Sequence, residues 1–180
     1  IAREWEAANS RTCLYGGPSM GAQRAAWQAA FAAESAARSG NYFAQSLLDS
    51  VKAFEMIPHH LIAKAARKHN FSPWLLRLSL AAYRLPRTIG VDGVYSRTIV
   101  ACRGITAGSG FATTELRVLM LDIIDDTFRL YPAIALAVSV DDSTPYTHGP
   151  DPAWVVTQVA RVTDHLVHLL EADYDLEVSS

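Results

Sequence analysis

The chain has 180 residues, half of them hydrophobic, and a formal net charge of −2. That length allows one domain or slightly more, with enough apolar material for a real core. Its two cysteines, Cys13 and Cys102, make neither a disulfide framework nor a zinc motif, and no apolar run nears the roughly 18 residues that a membrane helix needs. No signal peptide opens the chain, so an intracellular location, nuclear or cytoplasmic rather than secreted, is expected, without membrane attachment. The start at Ile1 and an end just after a charged helix predict a fragment.

In chain order, Cys13 to Pro18 predicts a turn, and Ser19 a cap for an alanine-rich helix from Met20 to Arg38. Gly16 to Gly21 lacks the Gly-Lys-Ser/Thr of a phosphate loop. Ser39-Gly40-Asn41 ends the helix, and Tyr42 to Leu48 predicts a strand leading into Asp49. Pro58 begins a helix to about His69, and Ser72-Pro73 caps another from Trp74 to Tyr83. Arg87 to Val100 predicts a hairpin turning at Asp92-Gly93. A glycine-rich loop spans 103–110, and a long helix with Leu116, Leu119, Met120, Ile123 and Ile124 inward runs from Thr113 to Phe128. Asp125-Asp126 near its end predicts a solvated acidic patch. Ile134 to Val140 predicts a buried strand, Ser143 to Thr147 its partner, Trp154 to about Ala172 an amphipathic helix, and Leu176 to Val178 the start of a strand. The fold class is α+β, with helices covering one face of an antiparallel sheet.

Charge is unevenly distributed. Residues 56–114 carry eight basic residues against the single acid Asp92, whereas residues 115–180 carry three against twelve. Two readings of the basic middle stay open: a surface for phosphate backbone, or a solvated helical face. On the first, Lys64, Arg67, Arg84, Arg87 or Arg97 would face the phosphates. His165 and His168 lie one turn apart and predict ordinary surface histidines rather than a metal pair.

Two acidic islands stand 92 residues apart, at Asp49 and at Asp141-Asp142. Each ends an apolar run, where a strand leaves the core. Taken singly, Asp49 is also readable as a helix cap and Asp141-Asp142 as an acidic turn. Together, with Arg103 to Gly110 between them, they offer what two-metal phosphoryl transfer requires: shared carboxylates for two hard cations about 3.5–4 Å apart, and glycines beside them.

The order Asp49-Ser50-Val51-Lys52-Ala53-Phe54-Glu55, then Arg103-Gly104 to Gly108, then Asp141-Asp142 resembles motifs A, B and C of reverse transcriptases. It is most similar to the RNA-directed DNA polymerases of non-long-terminal-repeat retrotransposons, whose first motif is followed by a Pro-His pair, here Pro58-His59. The resemblance covers residues 42 to about 147. It implies a polymerase palm over residues 42–180, with a helical and hairpin insert at 56–102, a partial fingers segment over residues 1–41, and no thumb. It implies Asp49, Asp141 and Asp142 as catalytic ligands of Mg²⁺ or Mn²⁺. Lys52, Ala53, Phe54, Arg103, Gly104 and Gly108 become nucleotide-binding positions, with Phe54 as the gate against a ribose 2′-hydroxyl. The implied partners are an RNA template, a DNA primer and deoxynucleoside triphosphates; the oligomeric state is left open. Three positions depart from the pattern: Ala107 where the family has Gln, Ser139 where it has an aromatic residue, and Glu55 where it has Asp. They leave two alternatives in view, a decayed remnant that only binds nucleic acid and a non-enzymatic helical interaction domain.

Overall fold

The computed structural model describes residues 1–15, 20–106 and 108–179. The expected Ser19 cap and most of the Cys13–Pro18 turn, together with the Ala107 position, lie outside the described residues. Seven helices surround a mainly antiparallel sheet, as the sequence pattern predicts. In chain order they are α1 (Ala2–Ala8), β1 (Leu14–Tyr15), α2 (Ala22–Arg38), β2 (Tyr42–Gln45), β3 (Leu48–Ser50), α3 (Ala53–Met56), α4 (His59–Lys68), α5 (Pro73–Tyr83), β4 (Gly90–Val91), β5 (Val94–Tyr95), α6 (Ala112–Leu130), β6 (Ala135–Ser139), β7 (Asp142–Gly149), α7 (Pro152–His168) and β8 (Val178–Ser179). A π turn over Leu169–Asp173 extends α7.

The main sheet runs β1-β6-β7-β3-β8, with β2 also on β7. Only β1–β6 is parallel. The segment Tyr42 to Ser50 keeps one register along β7, with Gln45 opposite Tyr146 and Leu48 opposite Ser143. It is split into β2 and β3 because Pro145 stands opposite Ser46. Pro145 accepts from the Ser46 amide at 3.0 Å but has no N–H to return.

The core centres on α6, which is buried nearly all round and so cannot be an amphipathic surface helix. α4 packs against it on one side and α7 on another, while α7 covers β7 and β2. Alternation along β7 buries Ser143, Pro145, Thr147 and Gly149 on the α7 face and leaves Asp142, Thr144, Tyr146 and His148 on the other. Asp125 is exposed, as expected, but it is also paired. Arg11 grips it with two bonds of 2.8 Å, which holds its carboxyl below the usual carboxylate range and ties the α1–β1 connection to α6. The β4–β5 hairpin turns at Asp92-Gly93 as expected, both with positive φ, and stands apart from the main sheet.

A polar knot sits where α5, α6 and the glycine-rich loop meet. The Tyr83 hydroxyl lies 2.7 Å from both Ser109 Oγ and Glu115 Oε2, and Glu115 has no exposed surface. Burial pushes the Glu115 carboxyl up and the Tyr83 hydroxyl to about 12. Glu115 Oε1 has no partner among the described residues, and the carboxyl is anchored by Tyr83 together with Ser79 of α5. Tyr83→Phe should therefore cost about 1–3 kcal/mol of unfolding free energy. A raised carboxyl favours folding while protonated and penalises it once ionised, so the loss should be larger at neutral pH than near pH 5. Urea melts of both chains at the two pH values check this; an unchanged midpoint would mean Glu115 needs no partner.

Candidate active site

β3 and β7 place Asp49 directly opposite Asp142. Opposed residues of antiparallel strands carry Cβ atoms about 4.5–5.5 Å apart on one face, so the two carboxylates are neighbours. The same transverse row continues through Ser139 on β6 and Ser179 on β8. Asp141 is not on a strand. With Val140 it forms the two-residue turn of the β6–β7 hairpin, between Ser139 and Asp142. Val140 adopts φ +63°, an uncommon conformation for a β-branched residue. The turn thus holds Asp141 beside the row rather than in it.

Burial pushes the Asp142 carboxyl up, and the nearby charges of Asp141 and Asp49 add to the shift. Asp142, crowded by Asp49 and Asp141 on an open sheet face, is a place that a hard cation would relieve. Oxygen donors of this kind suit Mg²⁺, which is commonly held by one or two carboxylates with waters and substrate phosphates completing the shell. Among the described residues no group of three His, Cys, Asp or Glu is placed to hold a metal ion by itself. A cation here would have to rest on one or two of these carboxylates, with waters and substrate oxygens supplying the rest of its shell.

A groove of about 730 Å³ lies over this face, between the sheet and α2. Asp49, Asp142, Ser139, Thr144 and Ser179 line its floor, and alanines of α2 line its wall. The alanine run, read from sequence only as a helix former, is what lets α2 sit close to the sheet without filling the groove. Ser139 opens space where an aromatic residue would stand.

The remaining expected site residues lie beyond Asp49. Lys52 has φ +50° and starts α3, in which Ala53 is buried and Phe54 packs partly against the core. The 102–105 segment zips along this stretch: Ile105 N donates to Phe54 O at 2.6 Å, Gly104 N to Ile57 O at 2.8 Å, and His59 N to Cys102 O at 3.1 Å. Gly104 is required by that contact. Its φ is +90°, and a Cβ there would stand 2.8 Å from Glu55 O. Gly108 also has positive φ, +82°, but faces open space. Arg103 is paired with Asp175 at 2.6 Å. Any phosphate it meets must displace that carboxylate.

One functional feature is not legible in motif spacing. His59 is fully buried, accepts from Arg84 Nε at 3.2 Å through Nδ1, and so donates from Nε2 to Gly104 O at 2.8 Å. Burial and the Arg84 charge hold it neutral against the opposing pull of the Gly104 carbonyl. The Pro-His pair thus locks the glycine loop onto the segment after Asp49. His165 is engaged too, close to Asp126 and stacked near Tyr131. The basic residues expected to face the phosphates are dispersed. Lys64, Arg67 and Arg84 line a groove between α4 and α5, Arg87 bonds Tyr83 O, and Arg97 lies on the exposed hairpin.

No protein-family model and no curated protein matches the chain. Solved structures do. Apo telomerase from Candida tropicalis truncated from its C-terminal domain aligns with a TM-score of 0.68 at 9% identity, covering 99% of this chain and 38% of that one. Apo telomerase from the same organism gives 0.68 at 8%, over 99% of this chain and 34% of its own. Telomerase from Candida albicans in complex with a fragment of telomeric RNA gives 0.56 at 13%, over 93% and 31%. The chain spans about a third of the length of these neighbours. At such identities the likeness shows the fold alone, which this chain shares with a part of these telomerase structures.

Two consequences of the geometry are measurable. Gly104→Ala should destabilise the chain by at least about 1–3 kcal/mol, because it combines a left-handed backbone with a clash against Glu55 O; a smaller loss by denaturant melting would mean the loop moves freely. Asp142→Asn should stabilise the chain at neutral pH in metal-free buffer. The Asp142 pKa is raised, so its ionised form opposes folding, and the gain should shrink as pH falls into the carboxylate range.

Proposed function

We propose that this chain is the palm, with part of the fingers, of a retroelement reverse transcriptase that joins deoxynucleotides to a DNA primer on an RNA template. The observation that carries the reading is the register that sets Asp49 opposite Asp142, with Asp141 in the adjoining turn. It brings together, on one open face, acids from two islands that are 92 residues apart in sequence. The fold shared with a part of the telomerase structures supports it.

In this reading Asp49, Asp141 and Asp142 hold divalent Mg²⁺ or Mn²⁺. When bound, such ions lower the pKa of the primer 3′-hydroxyl and offset the charge of triphosphate and pyrophosphate. The chain's own groups do the rest. Lys52 and Ala53 present backbone beside the site, and Phe54 narrows it against a 2′-hydroxyl. Arg103 exchanges Asp175 for a phosphate as a charge-assisted donor. Gly108, with open space around it, admits the template strand. His59 keeps the Gly104 loop in place by its bond to the Gly104 carbonyl.

A second reading is a remnant that binds nucleic acid without polymerising. It is favoured by Ser139, which leaves the groove floor without the aromatic surface of the family pattern.

The test is extension of a DNA primer on an RNA template with deoxynucleotides and Mg²⁺ or Mn²⁺. Extension should occur with the wild-type chain and disappear in Asp49→Asn and in Asp142→Asn. Phe54→Val should raise ribonucleotide relative to deoxynucleotide incorporation; an unchanged ratio would return Phe54 to core packing. Metal binding has its own readout. Mg²⁺ well above its dissociation constant should raise the melting temperature of the wild type and not of Asp142→Asn, in line with linkage of about 2.7 kcal/mol at a hundredfold excess. A melting shift without extension selects the remnant. Neither effect removes the polymerase reading.

A further inference from the structure

The helical layer carries a second polyanion feature that the cleft does not use. A groove of about 770 Å³ lies between α4 and α5, with Lys64, Arg67, Lys68 and Arg84 in its lining. A second groove of about 500 Å³ continues it, sharing Ala63, Arg67 and Leu80 and adding Arg77. The two form one trench with five cations and no carboxylate in its lining. Lys68 is paired with Asp122 at 2.8 Å, and Arg84 donates one N–H to His59. Among the described residues Lys64, Arg67 and Arg77 make no salt bridge.

The trench shares no lining residue with the groove over Asp49 and Asp142. α4 packs chiefly on α6 and α5. The cations arise from helical spacing: Lys64, Arg67 and Lys68 fall at i, i+3 and i+4 on one side of α4, and Arg77 and Arg84 mark the two ends of the α5 wall. At about 1.5 Å of rise per residue, Arg77 and Arg84 stand roughly 10 Å apart along α5. The floor is apolar, with Leu80, Leu76 and Phe71 below the charges. Trp74, 81% exposed on α5 one turn before Arg77 and outside the trench lining, offers a stacking surface beside it. Spaced cations, an apolar floor and a neighbouring exposed indole are the parts of a single-strand groove.

We propose that the α4–α5 trench is a second nucleic-acid site, which holds the phosphates of a single strand outside the catalytic cleft. Lys64, Arg67 and Arg77 meet phosphates, and Trp74 stacks a base. The proposal rests on the nucleic-acid-binding part of the reading above and is independent of catalysis.

The experiment follows binding of a fluorescein-labelled oligouridylate by anisotropy across a salt series. Four chains are compared with wild type: Lys64→Gln/Arg67→Gln/Arg77→Gln, Trp74→Ala, Asp49→Asn/Asp142→Asn, and a control with Gln at the exposed Arg3, Arg38 and Arg161. Circular dichroism melts accompany each. The trench variant should lose about two units of the log K against log salt slope, at roughly 0.7 per contact on a single strand. Trp74→Ala should bind at least about fivefold more weakly with its slope kept. The aspartate variant and the control should keep the full slope. No binding by wild type, an equal loss of slope in the control, or an unaltered slope in a folded trench variant overturns the proposal. Unchanged affinity in Trp74→Ala, or displacement of RNA by poly-glutamate at equal charge, assigns the trench to another polyanion and overturns it as well. A polymerase-dead chain that keeps the trench slope leaves this proposal standing alone. A slope lost only in the aspartate variant places the phosphates in the cleft and ends it.

Discussion

Everything in the candidate site depends on the pairing register of β3 on β7. Side chains alternate across a strand, so a slip of one residue would send Asp49 into the α7 side of the sheet and bring Leu48 onto the open face. The buried face prevents that. Leu48, Ser143 and Val138 form the next transverse row, and all three are buried. Burial of this row is what presents its neighbour, Ser139-Asp142-Asp49-Ser179, to the groove. The two-residue turn then leaves Asp141 no freedom to wander from Asp142. Acids opposed across a ladder repel, so the register is maintained by the apolar side against the polar one. That opposition is the usual arrangement where a site stores unfavourable charge for a ligand to relieve.

The glycine-rich loop shows the same economy of contacts. Its Gly104 is explained inside the chain, by the Glu55 carbonyl that a Cβ would strike. His59, neutral and buried, bonds the Gly104 carbonyl while Arg84 fixes its tautomer. Farther along, Tyr83 joins Ser109 to the buried Glu115 of α6. The loop is thereby fastened at both ends to helices behind the sheet. Between Gly104 and Glu115, Gly108 and Gly110 have open space around them.

Much of this was legible in the sequence where one physical signal dominates. Asp92-Gly93 specifies its turn because both positions need positive φ. The α6 and α7 patterns are periodic enough to bound within a few residues. The Pro145 interruption and the pairing of Asp49 with Asp142, rather than with Asp141, depend on partners distant in sequence, which spacing alone does not fix. β1 is too short to carry a period: Leu14–Tyr15 becomes a strand only because Val138 and Ser139 offer a free edge. α1 has seven residues, below the length at which a helix is stable alone, and forms because Trp5 seats against Phe71 and donates to His69 O. The pairing of Asp125 is not legible because its local cation, Arg129, bonds Asp126 instead, and Arg11, 114 residues away, claims Asp125.

The charge partition that is visible in the sequence takes on a different meaning in three dimensions. Acids and bases are segregated along the chain; the fold pairs some of them, Lys68 with Asp122 and Arg103 with Asp175, and among the described residues leaves acids on the open sheet face and unpaired cations in the α4–α5 trench. Under the two proposals these surfaces would attract the same class of ligand by opposite routes. Carboxylates at Asp49 and Asp142 repel a phosphate unless a cation stands between them, so binding there is conditional on metal. Guanidinium and ammonium groups in the trench need no mediator, and their attraction weakens with salt as counterions are released. Under the two proposals, a strand held by the trench would be retained whether or not metal is bound at Asp49 and Asp142, which would separate holding the nucleic acid from acting on it.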